Sequence, residues 1–166
     1  MLNIAFSMRG HLQEPRRQVN YLDVSLLNRL IEDSPHNWIC LDYTIEDERL
    51  EKLSDKALQK VVVPNVDIKN DFNSIGSLLS CCDLLISPIT AIRSLASSVG
   101  TRNLSFIKGS RNPYNLGLDS EVFCEFKPIM FPNGHCVRLP HKISPEYKEE
   151  FLLNFFNKHI AGFPFK

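Results

Sequence analysis

Short apolar runs along this chain alternate with stretches whose apolar residues recur every three or four positions. The two rhythms predict strands and helices in turn. The runs are residues 2–7 (LNIAFS), 37–41 (NWICL), 60–63 (KVVV), 84–86 (LLI) and 103–107 (NLSFI). Between the first two, Val24, Leu27, Leu30 and Ile31 mark one face of a helix over 23–32, with Asp23 placed as its cap. A charged helix is expected over 46–56, with Leu50, Leu53 and Ala57 turned inward. Asp71 is placed to cap a third helix carrying Phe72, Ile75, Leu78 and Leu79. That helix leads into the stretch 83–100 (DLLISPITAIRSLASSVG), around which the chain is organised. Here Ser87 and Pro88 end a strand buried on both faces. Ile92, Leu95, Ala96 and Val99 then line a helix from Thr90, and Gly100 stops it. Residues 108–140 read as an irregular, Gly/Pro/Asn-rich loop region. A C-terminal helix starts at Ser144-Pro145, runs to 160, and presents Tyr147, Phe151, Leu152, Phe155 and Phe156 to the sheet.

Strand, helix, strand with short connections implies a parallel sheet covered by helices on both faces. The expected fold is α/β: a Rossmann-like, three-layer single domain over 1–166 with about five or six parallel strands. Ligands of such sheets bind at the carboxyl ends of the strands. No G-x-G-x-x-G follows the first strand, so the dinucleotide fingerprint is absent. The turn before Thr90 is the candidate instead. A helix start there leaves backbone N–H groups beside a hydroxyl, which favours an anion, most often a phosphate. The alternative is an ordinary αβ turn whose threonine hydroxyl satisfies the backbone.

Composition narrows the partners. With 43% apolar and 23% charged residues, and nineteen acidic against nineteen basic, nothing draws the chain to nucleic acid or a membrane surface. No apolar run approaches the roughly 20 residues of a membrane span, and no secretory pattern opens the chain. Five cysteines without C-x-x-C spacing argue against a disulfide framework and a structural zinc. His135, Cys136 and His141 match no common metal site, so no metal is expected. Buried free thiols fit a cytoplasmic protein.

The segment VPNVDIKNDFNSIGSLLSCCDLLISPITAIRSLASSVG resembles the C-terminal, sugar-nucleotide-binding half of bacterial B-fold glycosyltransferases. It is most similar to the catalytic region behind tetratricopeptide repeats and more distantly similar to the lipopolysaccharide heptosyltransferases. The resemblance rests on Asp67, Asn70-Asp71-Phe72, Asp83, Ser87, Thr90, Ala96 and Gly100, in that order. The stretch SMRGHLQEPRRQVNYLDVSLLNRL adds the family's glycine loop, arginine and Asn-Tyr-Leu, and NPYNLG its Tyr-Leu-Gly-like stretch. The resemblance implies a nucleotide-diphospho-sugar bound as donor substrate, with no cofactor. It implies diphosphate contacts at Ser87, Thr90 and Ala91, further contacts at Ser7 and Gly10, and charge from Arg16 or Arg17. Tyr114 and Asn115 would meet the base or ribose. A diphosphate leaving group gains charge as the glycosidic bond breaks, and helix N–H groups with an arginine stabilise that charge without a metal.

The chain also departs from the family. Where heptosyltransferases present Asp-Thr-Gly and a later His, it has Ile89-Thr90-Ala91 and Ser94. The half that supplies acceptor site and general base is not seen in these residues, so no residue is nominated as catalytic. The expected partner is therefore a preceding or repeat domain, or a separate chain. Two functions follow: the donor-binding part of a longer or split glycosyltransferase, or a catalytically silent binding or scaffold module derived from one. Several residues also have plainer readings: Arg16, Arg17 and His11 as solvated loop, Arg93 as surface, Asp67 and Asp71 as turn and cap, and Tyr114 as packing.

Overall fold

The computed structural model describes residues 1–10, 20–42, 50–108, 124–126, 133–140 and 142–163. Its strands are β1 (Asn3–Phe6), β2 (Asn37–Cys40), β3 (Val61–Val62), β4 (Leu84–Ile86), β5 (Arg102–Lys108), β6 (Cys124–Phe126) and β7 (Gly134–Leu139). The helices are α1 (Val24–Glu32), α2 (Asp55–Leu58), α3 (Phe72–Ser80), α4 (Ala91–Ser98) and α5 (Pro145–Ala161).

One sheet holds all seven strands in the order β3-β2-β1-β4-β5-β7-β6. Six are parallel, and β6 adds an antiparallel edge to β7. Alternate residues of each strand point to opposite faces, and the core is accordingly double. On one face Ile4, Phe6, Trp38, Cys40, Leu84, Ile86, Leu104 and Phe106 pack against α1, α2 and α5. On the other, Ala5, Leu85 and Leu41 pack against Ile75 and Leu79 of α3 and Ile92 and Ala96 of α4. The three layers and the parallel sheet match the expectation from the sequence. Among the described residues, no helix is long and apolar enough to cross a membrane.

Four local readings are corrected. The charged helix begins only after Ser54, whose hydroxyl accepts the Ala57 N–H at 3.2 Å; residues 43–49 lie outside the described residues. Leu50, Leu53 and Ala57 are nonetheless buried. Tyr147 does not face the sheet but is 57% exposed, and Lys148 is buried in its place. The helix phase sets this, since 148, 152, 155 and 156 share the inward stripe. Lys148 Nζ reaches the Asp23 carboxylate at 2.8 Å and lies 5.2 Å from the centre of the Phe106 ring. Asp23 therefore stands at the N-cap of α1 without capping it. Finally, part of 108–140 is regular, because β7 lies there and pairs with β5 from Asn103 to Lys108. Its sequence signal is weak because only Val137 and Leu139 face the apolar core, whereas Cys136 and Arg138 are buried on the other face.

Other signals read directly. Asp71 accepts the Ser74 N–H at 3.0 Å, and its carboxyl is held below the usual range by the Ser74 hydroxyl and that N–H. Of the free thiols expected to be buried, Cys40, Cys82 and Cys136 are, but Cys81 is exposed, because it stands at the C-cap of α3 on the solvent side. Gly100 has φ +87°; its N–H bonds to the Ser97 carbonyl at 3.2 Å, and the Thr101 N–H bonds to that of Ala96 at 2.9 Å. This is the Schellman arrangement, in which a left-handed residue closes the helix. A Cβ at Gly100 would meet nothing within 4 Å, so Gly100→Ala isolates the backbone cost of that conformation. The expected loss is about 1 kcal/mol of unfolding free energy, measured by urea titration with an unchanged m value.

Candidate functional site

The chain moves from β1 to β2 and β3 in one direction across the sheet, and from β4 to β5 in the other. β1 and β4 are therefore neighbours whose following segments diverge, leaving a crevice outside their carboxyl ends. The two segments that open into it are the turn after β1, through Gly10, and the turn after β4, through Thr90. These are the segments singled out from the sequence.

The first turn is held from below. The Ser7 N–H continues the ladder to the Ile86 carbonyl at 3.1 Å, and the Leu22 N–H reaches the Met8 carbonyl at 3.0 Å. A buried carboxylate organises the space between. Asp42, just past β2, accepts the Met8 N–H on both oxygens at 3.0 Å and the Ser7 hydroxyl at 2.9 Å. Asn20 accepts the Lys108 N–H at 2.7 Å, so the segment returning from this turn is tied to the end of β5. Lys148 adds its contacts to Asp23 and, at 3.5 Å, to the Tyr21 carbonyl.

The second turn is built differently. The Ser87 N–H bonds to the Leu104 carbonyl at 3.1 Å, and the Ser87 hydroxyl to the Pro88 carbonyl at 2.9 Å. Thr90 stands at the N-cap of α4 in extended conformation, yet its side chain makes no capping bond. The Thr90 hydroxyl oxygen is buried and has no hydrogen-bond partner among the described residues. The first N–H groups of a helix have no intrahelical acceptor, so Ala91 and Ile92 start α4 with donors directed away from it. An α-helix presents roughly half a positive charge at this end. The arrangement can hold an anionic oxygen through two backbone N–H groups and one hydroxyl.

The two turns come close together. A Cβ built on Gly10 would lie 3.5 Å from Thr90 Cγ2 and 3.9 Å from the Tyr21 hydroxyl. The fold thus brings Ser7, Gly10, Ser87, Thr90 and Ala91 to one crevice, with the hydroxyls of Ser7 and Ser87 engaged inside the protein. Arg16, Arg17 and Tyr114, together with His11 and Asn115, lie outside the described residues. Arg93 is not on the surface: it is 3% exposed beneath α4, its Nε donating to Asn103 Oδ1 at 3.1 Å, and burial pulls its pKa down.

Asp42 is the residue that sequence reasoning missed. Its signal is an acid directly after the apolar run NWICL, at a strand's carboxyl end, where Rossmann sheets place polar residues that face the ligand crevice. Two cavities, of about 480 and 300 Å³, lie at the opposite, amino-terminal edge of the sheet and take no part in this crevice.

Comparison with known proteins adds the fold's relatives. The E. coli ADP-heptose LPS heptosyltransferase II superposes with TM-score 0.59 at 13% identity, over 95% of this chain and 47% of that one. The E. coli heptosyltransferase WaaC with ADP superposes with TM-score 0.62 at 14% identity, over 95% and 44%. WaaC with ADP-2-deoxy-2-fluoro heptose gives 0.62 at 15%, over 94% and 42%. The chain has the fold of about half of a heptosyltransferase. No family model and no curated protein sequence matches it.

The geometry assigns Asp42 a structural task that its removal exposes. In Asp42→Ala the buried Met8 N–H loses its acceptor and the Ser7 hydroxyl keeps only the Arg9 carbonyl at 3.2 Å, and about 1–3 kcal/mol of unfolding free energy is expected to go with the change. Amide exchange at Met8 checks the location, because the loss should open that N–H before the central strands.

Proposed function

We propose that this chain is the nucleotide-sugar-binding part of a glycosyltransferase, a single Rossmann-like domain working in the cytoplasm. The observation that carries the reading is the Thr90 hydroxyl: buried, unpartnered, and set at the start of α4 where two turns meet at the strand-order reversal. A buried hydroxyl without a partner costs stability, and a ligand oxygen at this point would satisfy it. The fold's relatives support the choice of ligand, since two of them were solved with ADP or an ADP-sugar. The sequence resemblance to tetratricopeptide-linked transferases supports the same class.

In this reading the diphosphate of a sugar nucleotide lies over the start of α4. Ala91 and Ile92 N–H groups and the Thr90 hydroxyl donate to its oxygens, and Gly10 leaves room beside them. Arg16 or Arg17 supplies charge, and Tyr114 meets the base or ribose. As the bond between the anomeric carbon and the phosphate oxygen breaks, negative charge grows on that oxygen, and fixed donors stabilise it more than they stabilise the bound donor. The acceptor and its base belong to a second domain or partner chain.

A second reading, a silent module, has its own observation. Asp42 places a buried carboxylate under the turn after β1 and takes the Met8 N–H that an anion would otherwise use.

Calorimetric titration with ADP, UDP, GDP and CMP tests the proposal. One nucleotide should bind saturably, and Thr90→Val should weaken it about tenfold, the loss of a hydrogen bond to a charged oxygen. The same substitution should leave unfolding free energy unchanged or slightly higher, since it replaces an unsatisfied buried hydroxyl by a methyl of the same shape. Gly10→Ala finds ordinary contact distances and no left-handed backbone, so it should fold as well as the parent and lose affinity only if ligand approaches there. Absence of binding in the folded parent, or affinity untouched by Thr90→Val, favours the silent module.

A further inference from the structure

On the face of the sheet covered by α5, the inward row of β5 runs Arg102, Leu104, Phe106, and that of β7 runs His135, Val137, Leu139. Each row opens on a basic side chain and turns apolar one step later. The last turn of α5 ends over the same place and adds Lys158 and His159. These four side chains, with Gly162 and Phe163, line the cavity of about 300 Å³ at the amino-terminal edge of the sheet. Among the described residues no carboxylate lines it.

The side chains are ordered against one another. The rings of His135 and His159 stand 4.6 Å apart between centroids, and His159 meets Phe155 edge-on at 4.8 Å. The Arg102 guanidinium lies 4.7 Å from the centre of the Phe163 ring. A guanidinium laid on an aromatic face keeps the edge of its fork available to a planar or tetrahedral oxyanion. The adjoining cavity of about 480 Å³ shares Arg102 and Phe163; its acid, Asp83, accepts the Asn3 N–H at 2.8 Å.

Cations in the last turn of a helix commonly answer its carbonyl end, and Lys158 and His159 fit that role. Arg102 and His135 do not, because they come from two strands. The chain as a whole has no basic surplus, with nineteen residues of each sign, so the concentration is local.

We propose that this cavity binds a phosphate monoester, with Arg102 gripping the phosphate, Lys158 adding charge and the paired imidazoles of His135 and His159 forming one wall beside it. The site lies at the edge of the sheet opposite Thr90 and is independent of the nucleotide crevice. The phosphate group has two sources, a soluble small molecule or a lipid headgroup.

The test follows the imidazole C–H resonances of His135 and His159 in the whole chain. Inorganic phosphate and glycerol phosphate are titrated against sodium chloride at equal ionic strength. Phosphatidylcholine vesicles with and without phosphatidic acid are added in a separate arm. Saturable shifts are expected with phosphate, weakened about tenfold by Arg102→Ala and less by Arg102→Lys, and preserved in Thr90→Val. Arg102 is exposed, so its variants should keep the fold, which far-ultraviolet circular dichroism checks. Saturation by the soluble phosphates marks a small molecule, and a response to phosphatidic acid vesicles alone marks a headgroup. Shifts that chloride reproduces, or that Arg102→Ala leaves intact, overturn the proposal.

Discussion

The reversal of strand order between β1 and β4 is the constraint on which the rest depends. Right-handed crossovers send α1 and α2 to one face as the chain moves outward through β2 and β3. When β5 is added on the other side of β4, the same handedness sends α4 to the opposite face. The two turns at the reversal cannot lie over each other's strands and so leave a crevice between them. Gly10 and Thr90, eighty residues apart along the chain, meet there for that reason.

What surrounds the crevice is fixed by buried and half-buried polar groups that hold backbone rather than ligand. Asp42 secures the turn after β1, Asn20 secures the segment returning from it, and Lys148 ties α5 to the residues before α1. Each places a side chain from one element on the backbone or carboxylate of another. Each would be costly to leave unpaired, which makes the local geometry cooperative with the whole domain. The Thr90 hydroxyl is one of five buried side-chain polar atoms without a hydrogen-bond partner among the described residues, with Trp38 Nε1, Arg93 Nη2, Ser105 Oγ and Arg138 Nε. It is the one at the start of α4 beside the turn after β1.

The two faces of the sheet differ beyond the crevice. Next to β5 and β7 the face of α4 is polar, with Arg93, Asn103, Ser105, Cys136 and Arg138 buried there. Burial holds the Cys136 thiol up at about 11, so it is a packed, protonated group and a poor nucleophile. On the opposite face the apolar rows of the same two strands give way to Arg102 and His135 at their amino-terminal ends, and α5 closes over them. The helical layers are thus apolar where they cross the sheet's centre and polar where its outer strands end.

Much of this was legible along the chain. The apolar triplet of β4, the three-and-four spacing of α4, the Asp71 cap and the Gly100 stop each act within a few residues, where propensity and periodicity decide the outcome. The parallel α/β class followed from their alternation. Tertiary structure decided the rest. β7 was hidden because one of its faces is buried against polar partners, so its apolar alternation is short. Arg93 and Lys148 went inward, against their usual preference, because Asn103 and Asp23 waited there on other elements. Asp42 gained its role only when parallel pairing set β2 beside β1. The sequence by itself determined the elements and the threonine that begins α4. Only folding could bring Gly10 beside that threonine and leave its hydroxyl buried without a partner, since both depend on contacts between residues far apart in the chain.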